Sequence, residues 1–446
     1  MFLNQTGLQS FYMYYITNQT GIPGAKIILF FILIICFAAS GFAQQLTKKV
    51  DLIIKTDSMV QKFYDINHEP LYWLSSKKSV KRAGEWLSTL ESADRFGLIS
   101  DKLQIEQIRS VLNNRNINDN ALKEKTDKQV TGMILHFIKN LQEGKVSFEY
   151  SEVKTPRDSV YIYQLMNSRY KGAVAKLVTR LDCKDPDYKI YEKYLNDSIT
   201  AKDTLKRKTL VRAMNYRRYL NINGKSEYIV ANIPATEVEY YRKDKLALKM
   251  RSVAGKKKNP TPTIASYITN IVTFPFWNVP FSIASKELLP KVQKDNSYLE
   301  RNNFEVVDSK GTVVDDLDLN WDTYTDKNFP YFFRESTGPN NSLGVLKFNL
   351  QNPFSIYLHD TNSKGAFAKD YRLLSHGCIR LEKPVELADL LTRGKLDVYA
   401  LKSGKKDTES KTIKLVQKVP VFIIYMPVKV VAKKVVFLPD VYGLVK

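Results

Sequence analysis

The pattern of apolar residues changes near residue 220, and this change constrains the fold of the 446-residue chain more than any other feature. From Leu46 to about Leu220, apolar side chains recur at intervals of three and four residues, which predicts helices. Two such stripes are Trp86, Leu87, Leu90 and Ala93, and Val130, Met133, Ile134, Phe137 and Ile138. Beyond residue 220 the period falls to two, as in Leu246, Leu248 and Met250, which predicts half-buried strands. We therefore expect an α+β protein, with a mainly helical domain followed by a mostly β domain.

These patterns divide the chain into four predicted segments. Residues 1–43 form an export segment, 44–220 the helical domain, and 221–400 the mostly β domain. Within the β domain, residues 285–335 are rich in Tyr, Phe and Asp, and we expect them to form a cap subdomain. Residues 401–446 are predicted to form a strand pair, 419–425 with 428–437, packed on one of the two domains, because Pro427 interrupts an apolar run.

An export signal is predicted near the N-terminus. Lys26 precedes an unbroken apolar run of eleven residues, 27–37, which is followed by small residues up to Ala43. This order of a basic, an apolar and a small-residue region is typical of a cleaved signal peptide. The run is short for a membrane span, so an uncleaved anchor is the less favoured alternative. The predicted location is the periplasm or cell envelope, with membrane contact only through this segment.

Cysteine and histidine are concentrated in one short stretch. The chain has four histidines and three cysteines, yet His359, His376 and Cys378 lie within twenty residues. A thiol becomes a useful nucleophile when a neighbouring base removes its proton, and either histidine is a candidate base. Gly377 lets the backbone approach a reacting carbonyl, so main-chain N–H groups there are candidate oxyanion donors. This combination predicts cysteine acyl transfer.

Three other interpretations of these residues are less favoured. The first is a buried cysteine that packs as a small apolar group beside two surface histidines. The second is a zinc site, but His-x-Cys is poor ligand spacing and no CxxC pair is present. The third is a papain-like protease, in which the cysteine precedes the histidine. The other cysteine after the export segment, Cys183, is expected to be a partly buried bystander.

The order of these motifs resembles the L,D-transpeptidase catalytic domain, the YkuD-type family. The run 334–344 leads into a strand-like segment, then comes Ile356-Tyr357-Leu358-His359, and after fifteen intervening residues Ser375-His376-Gly377-Cys378. Several fixed residues and one spacing agree together, so the match is specific. The segment 63–73 resembles the start of the scaffold domain in the large, YcbB-like branch of the family.

The resemblance implies roles for particular residues. Cys378 is expected to be the nucleophile, and His359 rather than His376 its general acid/base. Gly377 is expected to contribute to the oxyanion hole, and His376 to support that loop.

The resemblance implies further roles for residues near Cys378 and His359. Asp360, or a nearby carbonyl, is expected to orient the His359 ring. Arg380 and Ser375 are expected to contact substrate, with Arg380 pairing with a carboxylate; a structural salt bridge is the alternative for Arg380.

The resemblance also implies a substrate and a reaction. The substrate would be the stem peptides of peptidoglycan, and the product a cross-link between two third-position residues. Water as acceptor would make the protein an L,D-carboxypeptidase, and a protein amine would make it a protein-anchoring enzyme. A non-catalytic cell-wall-binding scaffold is the alternative from another class.

Composition limits the partners and cofactors. The formal net charge is +22, which suits an anionic polymer such as peptidoglycan or a nucleic acid. The predicted export argues against nucleic acid. No phosphate-binding glycine-rich loop or dinucleotide motif is present, so no cofactor and no metal is expected. The sequence leaves protein partners open.

Overall fold

The computed structural model describes residues 57–445, except 115–117, 169–172, 198–199, 201, 225 and 404–408. The predicted export segment, 1–43, lies outside the described residues. In the part of the chain that is described, no helix is long and apolar enough to cross a membrane.

The region up to residue 223 is helical, as predicted. Aspartate side chains cap several of its helices by accepting amide N–H bonds: Asp57 from Met59, Asp119 from Leu122, Asp185 from Tyr188, and Asp203 from Lys206. The helices are α1 (Ser58–Asn67), α2 (Lys77–Glu91), α3 (Lys102–Asn113), α4 (Asn120–Glu143), α5 (Ser159–Ser168), α6 (Val174–Leu181), α7 (Pro186–Leu195) and α8 (Thr204–Asn223).

One compact unit consists of the described parts of 57–88, 102–136 and 158–170. Its centre is the buried carboxylate of Asp127, which accepts the amide N–H groups of Tyr72, Trp73 and Leu74 at 2.7–2.8 Å. These amides belong to an irregular segment that has no ladder or helix to satisfy them. The carboxylate therefore fixes the segment after α1 onto α4.

The second unit contains 89–101, 137–157 and 171 onward, apart from the undescribed gaps, and a closed β-barrel forms its core. Its strands are β1 (Tyr150–Ser151), β2 (Glu227–Asn232), β3 (Glu237–Arg242), β4 (Lys245–Gly255), β5 (Ile264–Thr273), β10 (Leu346–Leu350), β11 (Tyr357–His359), β12 (Leu373–Ser375), β13 (Ile379–Leu381) and β14 (Lys411–Ile424). The barrel ring runs β5–β10–β11–β13–β4–β3–β2–β14, and β14 pairs back onto β5. The short strands β1 and β12 join the ring at its margins.

Helices α7 and α8 pack on the outside of the barrel, in the same compact unit. Tyr188 and Tyr191 of α7 share an apolar cluster with Val230 of β2 and Phe422 of β14. The compact units therefore do not divide at the predicted boundary of residue 220. The physical reason is that the outer barrel face is apolar here and is covered by helices that precede residue 220.

A small subdomain with its own core is inserted between β5 and β10. Leu288, Val292, Trp321, Phe329 and Phe333 form this core. Its sheet has the order β6–β9–β7–β8, and a π-helical turn, Ala284–Leu288, separates two of its helices. The elements are β6 (Trp277–Asn278), α9 (Phe281–Ile283), α10 (Leu289–Lys294), α11 (Tyr298–Arg301), β7 (Phe304–Val307), β8 (Val313–Val314) and β9 (Phe332–Glu335).

The C-terminal region differs from the predicted strand pair. After α12 (Pro384–Thr392) and α13 (Val398–Ser403), β14 enters the barrel between β2 and β5. The hairpin forms instead between β15 (Val428–Val431) and β16 (Lys434–Phe437). Its two-residue turn has positive φ at both Ala432 and Lys433, as a type I′ turn requires. The predicted pairing was therefore wrong, while the predicted α+β class is confirmed.

Candidate active site

Strand register gathers the site on one outer face of the barrel. Lys347 of β10 is paired with His359 of β11, and His359 is paired with Arg380 at the start of β13. Because side chains alternate along a strand, Tyr357 lies on the same face as His359, and Cys378 on the same face as Arg380. The register thus places the predicted nucleophile, base and arginine on two adjacent strands.

The opposite face of these strands fixes that register. Its side chains are apolar and lie in the barrel core: Leu346, Phe348, Leu358, Ile379 and Leu381. A slip of one residue would expose these side chains and bury the polar ones, so the apolar face specifies the pairing strongly.

Cys378 is half-buried and hydrogen-bonded through its thiol. The Sγ atom donates to the carbonyl of Ser355 at 3.7 Å and accepts hydrogen bonds from the main chain and the hydroxyl of Tyr357. Burial raises the pKa of the Cys378 thiol, while the Tyr357 hydrogen bonds and the charges of Lys347 and Arg380 act to lower it. The thiol is therefore protonated at neutral pH and needs a base.

His359 is buried, lies on the strand that pairs with the one after Cys378, and is neutral. Burial, followed by the Arg380 guanidinium, lowers the pKa of His359 to about 3. The main chain of Asp360 acts in the opposite direction, and the ammonium groups of Lys347 and Lys364 lower this pKa further. Its Nδ1 atom has no hydrogen-bond partner. No hydrogen bond between the ring and Cys378 is present among the described contacts. Such bonds are often long before substrate binds, so a neutral imidazole here remains suited to accept the thiol proton.

Two cations flank His359 without a carboxylate partner. Lys347 and Arg380 are both half-buried, and neither forms an ion pair with any described residue. The Lys347 ammonium lies 4.3 Å from the centre of the Tyr357 ring. Burial lowers the pKa of both groups, and their attraction to Cys378 acts to raise it. The structural salt bridge considered for Arg380 is thus not formed within the described residues.

The hydroxyl of Ser375 stabilises the loop before Cys378. Ser375 is buried, donates to the carbonyl of Cys378 at 2.6 Å, and accepts from the amide of Gly377 at 3.1 Å. The hydroxyl is thus engaged inside the loop, and the expected contact of Ser375 with substrate stays a prediction. The Gly377 amide is also engaged in this structure, so it is not free for an oxyanion.

Asp360 does not orient His359 through its carboxylate. One oxygen accepts from the amide of Val345 at 3.0 Å, and the other binds the Lys364 ammonium. The neighbour Gly344 has φ +57°, and a Cβ there would lie 2.2 Å from this carboxylate. The carboxylate points away from the ring because consecutive residues of a strand point to opposite faces, and the role of Asp360 or a nearby carbonyl in orienting His359 stays a prediction. Only the main chain of Asp360 acts on the imidazole.

His376 faces the inserted subdomain. Its Nε2 atom is 2.8 Å from Oε1 of Glu287 and 3.3 Å from the ammonium of Lys256. A second contact joins the subdomain to the site, since the side chain of Trp277 hydrogen-bonds to the Tyr357 hydroxyl. The inserted subdomain therefore borders both the loop before Cys378 and the hydroxyl beside its thiol.

Sequence reasoning missed Tyr357 and Lys347. Both stand next to apolar residues of strand-like segments, in Tyr357-Leu358-His359 and Leu346-Lys347-Phe348. The available signal was the alternation of polar and apolar residues along each strand, which places the polar side chains together on the face opposite the core. Assigning them to the site also required the pairing between strands.

The remaining cysteine lies elsewhere. Cys183 is free and buried, and its Sγ donates to the carbonyl of Arg217 at 3.9 Å. Burial raises the pKa of Cys183 to about 11, so it is an unreactive thiol. No group of three or more potential metal-ligating His, Cys, Asp or Glu side chains occurs among the described residues.

Comparison with known proteins agrees with this site. Residues 226–416 match the family model of the L,D-transpeptidase catalytic domain, YkuD, and residues 58–195 match that of the Scaffold domain. The chain is thus similar to the Scaffold domain in its N-terminal part and to the YkuD L,D-transpeptidase catalytic domain in its C-terminal part, which confirms the resemblance inferred from sequence.

Individual relatives cover only part of the chain. A curated Haemophilus influenzae protein, whose name assigns it provisionally to the L,D-transpeptidases, is 34% identical over 240 residues. This match covers 52% of the chain and 47% of that protein, so the chain spans about half the length of its relative.

Solved structures give weaker likenesses. A Mycobacterium smegmatis L,D-transpeptidase has 14% identity and a TM-score of 0.23, covering 45% of this chain and 58% of that one. A mutant of the Enterococcus faecium L,D-transpeptidase has 14% identity and a TM-score of 0.22, with coverages of 45% and 50%.

Proposed function

We propose that the chain is a peptidoglycan L,D-transpeptidase that joins third-position residues of stem peptides through a Cys378 acyl-enzyme. The observation that carries the proposal is the register that puts Tyr357 and His359 beside Cys378 and Arg380 on one face of adjacent strands. The YkuD and Scaffold domain matches support the same reaction.

In the first step His359 accepts the thiol proton, and the Cys378 sulfur attacks the carbonyl carbon between the third residue and the terminal D-Ala. The C–N bond of the tetrahedral intermediate then breaks, and His359 returns the proton to the leaving amine. The product is a thioester on Cys378. A neutral imidazole is the form that can act first as base and then as acid.

Negative charge builds up on the carbonyl oxygen in the tetrahedral intermediate, and hydrogen-bond donors are needed to stabilise it. We assign the Cys378 amide to it, since the Gly377 amide is bonded to Ser375. The Tyr357 hydroxyl donates to the Cys378 sulfur before the attack, and we propose that it turns to the oxyanion once the sulfur has formed its new bond. Burial raises the pKa of Tyr357, which keeps its hydroxyl protonated as a donor. One such donor contributes about 3 kcal/mol to the transition state.

In the second step the amine of another stem peptide loses its proton to His359 and attacks the thioester. The amide bond forms and the thiol is regenerated. The two unpaired cations, Lys347 and Arg380, suit a substrate with carboxylates, and stem peptides are anionic. We also propose that the protein acts in the periplasm or cell envelope, which rests on the signal-like pattern ending at Ala43.

The test uses the purified protein and a disaccharide-tetrapeptide, with products identified by mass spectrometry. We expect a cross-linked dimer that lacks one D-Ala, and none with Cys378→Ala or His359→Ala. Tripeptide alone would favour the carboxypeptidase. No turnover and no covalent adduct on Cys378 would contradict acyl transfer on this substrate and leave the cell-wall-binding scaffold.

A further inference from the structure

The loop that carries Cys378 is supported from behind by a tight turn. Thr261 is buried, and its hydroxyl donates to the carbonyl of Gly377 at 2.7 Å. The same hydroxyl accepts the amide of Gly255 at 2.8 Å. Lys256 adds a main-chain bond from its amide to the carbonyl of Ser375 at 3.0 Å. The turn 255–261 thus contacts the loop at two carbonyl groups.

One of these contacts sets the direction of a reactive group. The carbonyl of Gly377 and the amide N–H of Cys378 belong to one planar peptide unit and point in opposite directions. A bond that fixes the carbonyl therefore fixes the direction of the N–H. Gly377 has φ +125°, a conformation open to glycine, so this peptide depends on its hydrogen bonds for a single orientation.

The turn is itself closed by a residue from the segment after β16. The Tyr442 hydroxyl accepts the amide of Thr261 at 3.2 Å and donates to the carbonyl of Gly255. Gly255 and Thr261 approach so closely that a Cβ on Gly255 would lie 2.7 Å from the Thr261 nitrogen. Tyr442 therefore bridges both ends of the turn.

Tyr442 is held in turn by its own neighbours. Its ring stacks on Tyr425 of the loop after β14, with centroids 5.4 Å apart, and its amide donates to the Tyr425 hydroxyl at 2.8 Å. The Tyr425 hydroxyl donates to Asp440 at 2.5 Å, and Asp440 also accepts the amides of Leu444 and Val445. The segment 440–445 is thus folded around one carboxylate.

We propose that Tyr442 is a positioning residue that, through Thr261 and the Gly377 carbonyl, orients the Cys378 amide toward the oxyanion. The segment after β16 is then part of the machinery of acyl transfer, although none of its described residues forms a hydrogen bond with Cys378. The inference rests on the proposed function only in taking Cys378 as an acyl acceptor.

The test compares two reactions of Cys378 in the full chain. Acylation by p-nitrophenyl acetate passes through an oxyanion, whereas alkylation by iodoacetamide does not. We expect Tyr442→Phe, which keeps the ring, to slow acylation about tenfold and to leave alkylation unchanged. Mass spectrometry identifies Cys378 as the modified residue, and neither reaction requires a peptidoglycan substrate.

Further variants separate positioning from loss of structure. Thr261→Val should slow acylation to a similar degree, whereas Thr261→Ser, which keeps the hydroxyl, should be acylated at the wild-type rate. The double variant with Thr261→Val and Tyr442→Phe should slow acylation by less than the product of the two single effects. The matched control is Tyr240→Phe, which removes a buried hydroxyl bonded to Glu227, away from the turn. Its acylation rate should equal that of the wild type.

Three results would overturn the proposal. Equal slowing of acylation and alkylation in Tyr442→Phe would mean that the sulfur itself has moved. Unchanged acylation would mean that the hydroxyl has no role. A wild-type Cys378 that is alkylated but never acylated would leave no oxyanion site to orient. Failure of the peptidoglycan assay with normal acylation would contradict only the proposed substrate.

Discussion

At the level of single residues, the site combines a buried neutral imidazole with two cations that lack carboxylate partners. Many cysteine enzymes lower the thiol pKa with a neighbouring imidazolium. Here burial and the Arg380 charge disfavour that imidazolium, since they lower the pKa of His359 to about 3. The positive charge near the thiol comes from Lys347 and Arg380 instead. The site can therefore present positive charge to a substrate through Lys347 and Arg380 while the His359 imidazole stays unprotonated.

The depressed pKa of His359 predicts a pH dependence of stability. The ordinary pKa is 6.5, so between that pH and about 3 the unfolded chain binds a proton that the folded site rejects. The contribution of His359 is complete above pH 6.5 and is lost as the pH falls, by about 2 kcal/mol at pH 5.

Urea denaturation of the wild type and His359→Gln at pH 7.5 and pH 5 measures this effect. The free energy of unfolding of the wild type should fall further than that of the variant. An equal decrease in both proteins would contradict the buried neutral imidazole.

Lys347 predicts a change in thiol reactivity. Its ammonium acts to lower the pKa of Cys378, so Lys347→Met should raise that pKa and move the pH profile of iodoacetamide alkylation to higher pH. We expect about tenfold slower alkylation at pH 7. Lys347→Arg keeps the charge and should stay close to the wild type. If Met and Arg gave the same profile, the charge would have no influence on the thiol.

At the level of elements, the sequence predicts which segments form strands better than it predicts which strands pair. Alternation indicated strands β4 and β10, because it reports which face of a strand is buried. The pairing of β14 with both β2 and β5 joins residues at least 138 positions apart in sequence, as in Lys411 and Thr273, and no local pattern encodes it. The Ala432-Lys433 turn lacks the Asn-Gly or Asp-Gly signal of type I′ turns, so the last hairpin was assigned the wrong strands.

The same limit applies to the site. His359 and Cys378 were found because a motif and its spacing lie within one short stretch. Tyr357 and Lys347 reach the thiol only through the β10–β11–β13 register, and Thr261 and Tyr442 only through long-range hydrogen bonds. The sequence also does not show that the Asp360 carboxylate points away from His359, a direction that follows from the alternation of side chains along a strand.

At the level of the whole molecule, the net charge of +22 is expected to affect how the protein binds an insoluble anionic polymer. Charge of one sign spread along the chain attracts such a surface, and added salt screens that attraction. We therefore expect the inactive Cys378→Ala protein to bind isolated sacculi at low salt and to be released by about 0.5 M NaCl, at which the Debye length is only a few ångströms. Co-sedimentation over a salt series measures this binding. Retention that salt does not change would show that specific contacts, as in a binding scaffold, hold the protein, and charge would then have no part in its recruitment.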